Sequence, residues 1–170
     1  AGVGLSASIT AMGRIHRNAA IVWIAVLGTC YTFTAGKLFA LHPYEYLYYN
    51  QLVGGLEGAS RRFVTDYWVN IMPEAVEELH DFLDRTEPAT AKTNVYRVAV
   101  CGERVSYEEY ARPNLPWLRM YDWRLADFYI APTHMNCDRI LAGKVIGKIE
   151  RLGVTIGVIK DRRRVREREE

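Results

Sequence analysis

Apolar positions crowd the front of this chain and alternate with polar ones behind it. Residues 19–41 (AAIVWIAVLGTCYTFTAGKLFAL) carry a single charge, Lys37. About 20 such residues cross the hydrocarbon core of a bilayer as a helix, and a lysine near the end of the run can reach the headgroups with its ammonium. The pattern therefore predicts a transmembrane helix over 19–41. A secretory signal peptide and a buried helix of a soluble protein are the competing readings. The apolar part of a signal peptide spans roughly 7–15 residues and ends at a small-residue cleavage site. This run is longer, and FALHPYEY offers no good site. An uncharged stretch of this length also argues against a buried helix.

The flanks assign an orientation. Arg14, His16 and Arg17 precede the run, and no Lys or Arg follows Lys37 until Arg61. The positive-inside rule puts residues 1–18 on the cytoplasmic side, or between helices, and everything after His42 outside. Tyr44, Tyr46, Tyr48 and Tyr49 supply rings of the kind that gather at a membrane–water interface. Residues 42–60, with Gly54, Gly55 and Gly58, read as a turn-rich interfacial linker.

Behind the linker the pattern changes period. Residues 61–69 (RRFVTDYWV) are rich in β-branched and aromatic side chains and suggest a short strand or extended arm. Val76, Leu79, Phe82 and Leu83 then recur at helical spacing. Asn70 lies in the N-cap region, Pro73 near the first helical position, and Pro88 beyond the end. His80 falls on the polar side of this helix and reads as solvated. Residues 94–101 and 126–131 read as strands, 105–112 as a short helix, and 114–123 as a loop or broken helix covering the sheet. Residues 144–150 and 154–160 each alternate around Arg151-Leu152-Gly153, so a terminal β-hairpin is expected, with a helix over 138–152 as the alternative. The expected fold is α/β: one N-terminal transmembrane helix, then a small extracytoplasmic domain over 61–163 with a mixed sheet and a C-terminal hairpin. Residues 164–170 form a charged tail, expected to be solvated and partly frayed.

The chain has 170 residues and a net charge of +2, which gives no case for nucleic acid as a partner. Its opening, AGVGLSASITA, reads as a segment entered mid-flow, so a longer parent protein is expected; a removed start residue would look the same. Of three cysteines, Cys30 lies in the apolar run. Cys101 and Cys137 could pair in an oxidising compartment. His134 with Cys137 and Cys101 hints at zinc, but the paired ligand spacing of a metal site is missing, and no metal is expected.

No self-contained active site is legible: there is no G-x-S-x-G, phosphate loop or H-E-x-x-H. The more pointed constellation is His42, Tyr44, Glu45 and Asn50 at the membrane surface, with Asp66, Tyr67 and Trp68 shortly after and Lys37 just before. Rings to stack on a pyranose, carboxylates for its hydroxyls and a cation for a phosphate are what a lipid-linked sugar requires. An ordinary aromatic belt, with Lys37 merely extending to the headgroups, explains the same residues without a ligand.

The string LHPYEYLYYNQLVGGLEGASRRFVTDYWVNIMPEAVEEL resembles the segment joining the last membrane helix to the outer domain in bacterial GT-C glycosyltransferases related to the protein O-mannosyltransferases. The closing stretch ADFYIAPTHMNCDRILAGKVIGKIERLGVTIGVIKDRR is similar to the end of the same proteins. The resemblance spans roughly residues 19–163 and implies a parent enzyme of the bacterial inner membrane, its C-terminal domain facing the periplasm. That enzyme would move a sugar from a polyprenyl-phosphate carrier to an extracytoplasmic acceptor, with the bilayer, the lipid-linked sugar and further transmembrane helices as partners. The family's catalytic acid lies in a first outer loop with no counterpart here, so no catalytic residue carries over and this piece alone should be inactive. A membrane-anchored binding or scaffolding domain without catalysis is the rival reading.

Overall fold

The computed structural model describes residues 2–15 and 17–169, and the chain divides into two compact units, Ala1–Tyr48 and Tyr49–Glu170. The first holds helices α1 (Gly2–Ile15) and α2 (Arg17–Leu41), which pack on each other, with the Trp23 indole N–H donating to Ser8 Oγ at 3.2 Å. The cytoplasmic or interhelical segment expected over 1–18 holds α1, whose Ser8 meets α2. His16 lies outside the described residues. Asn18–Leu41 is long and apolar enough to cross a membrane, and none of its most apolar window is buried, unlike the core helix of a soluble domain. After α2 comes a short 3₁₀ turn, Glu45–Leu47.

The second unit is a mixed α/β fold around a five-stranded sheet in the order β2-β1-β3-β5-β4. β1 (Val98–Val100) runs parallel to both β2 (Trp117–Leu118) and β3 (Phe128–Pro132). β5 (Val154–Asp161) is antiparallel to β3 and to β4 (Lys144–Arg151). β4 and β5 form the hairpin, not the helix. Its two turn residues, Leu152 and Gly153, have φ of 50° and 77°, the double positive φ of a tight turn that follows the twist of the strands. β3 is buried along its whole length, as suits a central strand covered on both faces.

Helix α4 (Met72–Thr86) packs on β4 and β5 through Met72, Ala75, Val76, Leu79 and Leu83, all buried. Close approach is permitted by missing side chains: a Cβ on Gly157 would lie 2.4 Å from Ile71 Cδ1. The opposite face carries a smaller core of Ala99, Tyr129, Ala131 and Val158, under two 3₁₀ stretches, Met120–Leu125 and His134–Arg139. Helix α5 (Arg104–Glu108) contacts α4.

Three expectations need correction. Of the two readings of 61–69, the strand does not form: after helix α3 (Gly55–Ala59) the stretch runs through turns around an unpaired segment at 64–66, since it pairs with no strand of the sheet. The stretch after Asn114 contributes the edge strand β2, recruited by pairing with β1 alone. The tail is not simply solvated: it forms helix α6 (Arg163–Glu169), and Arg163 and Arg166 are ion-paired with Glu87 and Asp127. Just before α6, Arg162 is 1 % exposed and donates to the carbonyls of Ala142 (2.9 Å), Trp123 (3.0 Å), Arg124 (3.0 Å) and Ala126 (3.2 Å).

Candidate functional site

The site begins with a turn that buries an acid and exposes two rings. Asp66 is fully buried, and its carboxylate accepts the backbone N–H groups of Asn70 (2.9 Å) and Ile71 (3.2 Å) at the start of α4. A charge on those amides satisfies donors that a helix start otherwise leaves open. The N–H of Val69 donates to the Asp66 carbonyl, which closes the turn with Val69 at φ 55°. For a β-branched residue this conformation is a true outlier, costing of order 1–3 kcal/mol. Gly102 leaves room for it, because a Cβ there would lie 3.0 Å from Val69 Cγ1.

So held, the turn projects Tyr67 and Trp68 outward, 62 % and 73 % exposed. Their rings meet edge to face at 5.1 Å, and Tyr67 also meets the His134 ring at 6.1 Å. The three rings form a row, and a cleft lies at each end.

The cleft at the His134 end has a volume of about 210 Å³ and is lined by the segment 61–65 and the turn 133–136. Arg61 is held in place by Asp138 (2.9 Å) and Asn136 (3.0 Å); the Asp138 carboxylate raises the Arg61 pKa and keeps the guanidinium charged. Phe63 stacks on Tyr49 at 5.9 Å, and the Tyr49 hydroxyl donates to the Val64 carbonyl. Arg62 is exposed and enters no ion pair among the described residues. Arg61, Met135 and Asn136 all have positive φ (62°, 52° and 57°), so both walls of this cleft are built from left-handed backbone. A disulfide between Cys101 and Cys137, with Cα atoms 6.1 Å apart, ties the end of β1 to the turn that carries His134. The Tyr129 hydroxyl donates to the Cys137 carbonyl at 2.8 Å and braces the same turn.

The cleft at the Trp68 end has a volume of about 250 Å³ and is lined by Trp68, Met72 and Pro73 on one side and by α5 and Tyr110 on the other.

The residues singled out in the sequence are divided between the two units. In the first, the Lys37 ammonium lies over the Phe33 ring at 5.6 Å. His42 Nδ1 and Glu45 Oε1 are 2.6 Å apart, and the hydrogen bond from His42 holds the Glu45 carboxyl below its usual pKa. Tyr44 is buried, its ring 6.2 Å from that of Tyr46. In the second unit, Asn50 caps the 3₁₀ turn Gln51–Val53 by accepting the Leu52 N–H at 3.0 Å. Asp66 is scaffold beneath the site, while Tyr67 and Trp68 are its exposed surface. Arg62, Asn136 and Tyr110 enter the site only with the fold, and His134, which the sequence suggested only as a zinc ligand, enters it as a ring beside Tyr67. The adjacent arginines and the THMN string gave a local hint, but only the fold brings them to one cleft, with His134 beside Tyr67. Among the described residues, no three His, Cys, Asp or Glu side chains gather as metal ligands.

Compared with known proteins, the chain matches no protein-family model, no curated protein and no solved structure.

Proposed function

We propose that this chain is the membrane-anchored outer portion of a glycosyltransferase that draws its sugar from a polyprenyl-phosphate carrier. One observation carries the reading: the row His134–Tyr67–Trp68, with the Tyr67 and Trp68 rings exposed, ends in a cleft bearing Arg62, a cation that enters no ion pair among the described residues, in a chain that also holds a helix of membrane-spanning length. Aromatic faces and a guanidinium are the groups that a sugar ring and a phosphate demand. In this reading α2 sits in the bacterial inner membrane, with further transmembrane helices of the parent protein against its exposed face. The α/β unit lies on the periplasmic side, where a disulfide persists.

The unit binds and does not perform the chemistry. Several of its acids serve structural pairs: Asp66 with backbone amides, Asp84 with Arg112, Glu74 with Arg151 and Asp138 with Arg61. The same pairing favours the second reading, an anchored binding module without turnover.

Turnover separates the two. Membranes bearing the full-length protein, supplied with labelled polyprenyl-phosphate mannose, glucose and galactose, should consume one of these donors. Arg62→Gln should raise the donor KM several-fold and leave kcat and expression unchanged. If the well-expressed protein consumes none of them, the transferase reading falls and the binding module replaces it.

A further inference from the structure

The cleft at the Trp68 end differs in chemistry from its neighbour. Neither lysine nor arginine lines it, and its single charged side chain is Glu109. Two rings stand at its rim, Trp68 at 73 % and Tyr110 at 50 % exposure, with Met72 and Pro73 among the lining residues. Asn70, Ser106 and Glu109 also line it, and their side chains make no hydrogen bond or ion pair among the described residues. Aromatic walls with unspent donors and acceptors between them are the composition of a small-molecule site.

We infer that this cleft binds a single uncharged pyranose ring. A pyranose presents C–H faces that pack on aromatic rings and a rim of hydroxyls that both donate and accept. Glu109 offers acceptors only, while Asn70 and Ser106 offer both roles, so the polar set matches such a rim. The volume of about 250 Å³ falls below the roughly 300–1,000 Å³ of sites for drug-sized ligands, which suits one ring rather than an oligosaccharide. Glu109 repels a phosphate, which separates this cleft from the Arg62 cleft at the other end of the row. The strained turn at Val69 gains a purpose here: it holds Trp68 out from the surface, opposite Tyr110. The inference rests on the carbohydrate reading above, but it needs neither turnover nor a phosphate.

The test uses the full chain, 15N-labelled at its four tryptophans and embedded in nanodiscs. Methyl α-mannopyranoside, methyl β-glucopyranoside and methyl β-galactopyranoside are titrated while the indole N–H signals are followed; Trp68→Phe assigns the Trp68 signal. At least one pyranoside should shift that signal saturably, while sorbitol, which has the hydroxyls but no ring face, should not. Tyr110→Ala and Glu109→Gln should each weaken binding by about tenfold, the loss of one stacking or one charged hydrogen-bonding partner. Both positions are exposed, and unchanged signals from the other three tryptophans would show that each variant is folded. The proposal is overturned if no pyranoside moves the Trp68 signal, if sorbitol moves it equally, or if Glu109→Gln binds as tightly as the parent. Failure of donor turnover with pyranoside binding intact would overturn the transferase reading alone.

Discussion

The Asp66 carboxylate and the Ile71 backbone N–H lie 3.2 Å apart, and both residues are fully buried. With the Asn70 N–H at 2.9 Å, this contact fixes both the start of α4 and the turn that exposes Tyr67 and Trp68. Asp66→Ala would leave the buried Ile71 donor and the part-buried Asn70 donor without their partner, at a cost of about 1–3 kcal/mol. Chemical denaturation of the detergent-solubilised chain should show that loss, and Asp66→Asn should recover part of it. A midpoint unchanged by Asp66→Ala would contradict the capping role.

Arg162 should prove the most consequential residue of the C-terminal segment. Its guanidinium serves four carbonyls from two loops, so Arg162→Ala strands several acceptors at once and should destabilise by at least about 3 kcal/mol. Arg164, two positions on and exposed, should tolerate alanine to within about 0.5 kcal/mol. Equal thermal shifts for the two variants would mean that the segment is as loosely held as its charge pattern suggests.

Stability should fall on mild acidification because of His80. Its ring is half-buried, and Nε2 accepts the Arg112 N–H at 3.4 Å. Desolvation, and then the charge of Arg112, lower its pKa from 6.5, against weaker opposition from Asp84 and Asp81. The unfolded chain therefore takes up this proton more readily than the folded one. The contribution is full above about pH 6.5 and is lost as pH drops through the lower, folded value. Melting temperatures at pH 7.5 and 5.5 should differ, and His80→Gln should narrow the gap. A gap of unchanged size in that variant would assign the pH dependence elsewhere.

The bridge between Cys101 and Cys137 closes a loop with a sequence separation of 36 residues. For a loop of that length, the chain-entropy estimate gives about 4 kcal/mol of stabilisation. Intact-mass analysis after alkylation without reductant should find Cys101 and Cys137 unmodified, and reduction should lower the midpoint of unfolding. Two freely alkylated thiols would dispose of the bridge.

The legible parts of the fold were those whose burial imposes a period. The apolar positions of α4 and the alternating burial of β4 follow from packing one face against a neighbour, so spacing located α4 and left β4 between a strand and a helix over 138–152, while β5 is buried at 156–159 without a break. Strand β2 could not be read, because Trp117 and Leu118 are extended only through pairing with β1. The charged string of α6 reads as solvated, since nothing local shows that Asp127 will meet Arg166 or that four loop carbonyls will surround Arg162. The site was legible in part. Tyr67 and Trp68 stand out as rings beside an acid, but a buried capping acid and a surface acid look alike in sequence, so Asp66 was grouped with the ligand-facing residues. Arg62 and His134 line one cleft across 71 intervening positions, a relation that only the fold creates.

Phosphate-dependent binding at the Arg62 cleft tests the lipid-linked-sugar reading most directly. The full chain in nanodiscs is titrated with farnesyl phosphate and with farnesol, which share the same hydrocarbon, and bound ligand is counted by scintillation. Farnesyl phosphate should bind saturably and more tightly than farnesol, and Arg62→Gln and His134→Ala should erase most of the difference while Arg164→Gln preserves it. Equal binding of the alcohol and the phosphate, or a preference for phosphate that survives Arg62→Gln, would contradict the assignment of this cleft to a polyprenyl-phosphate donor.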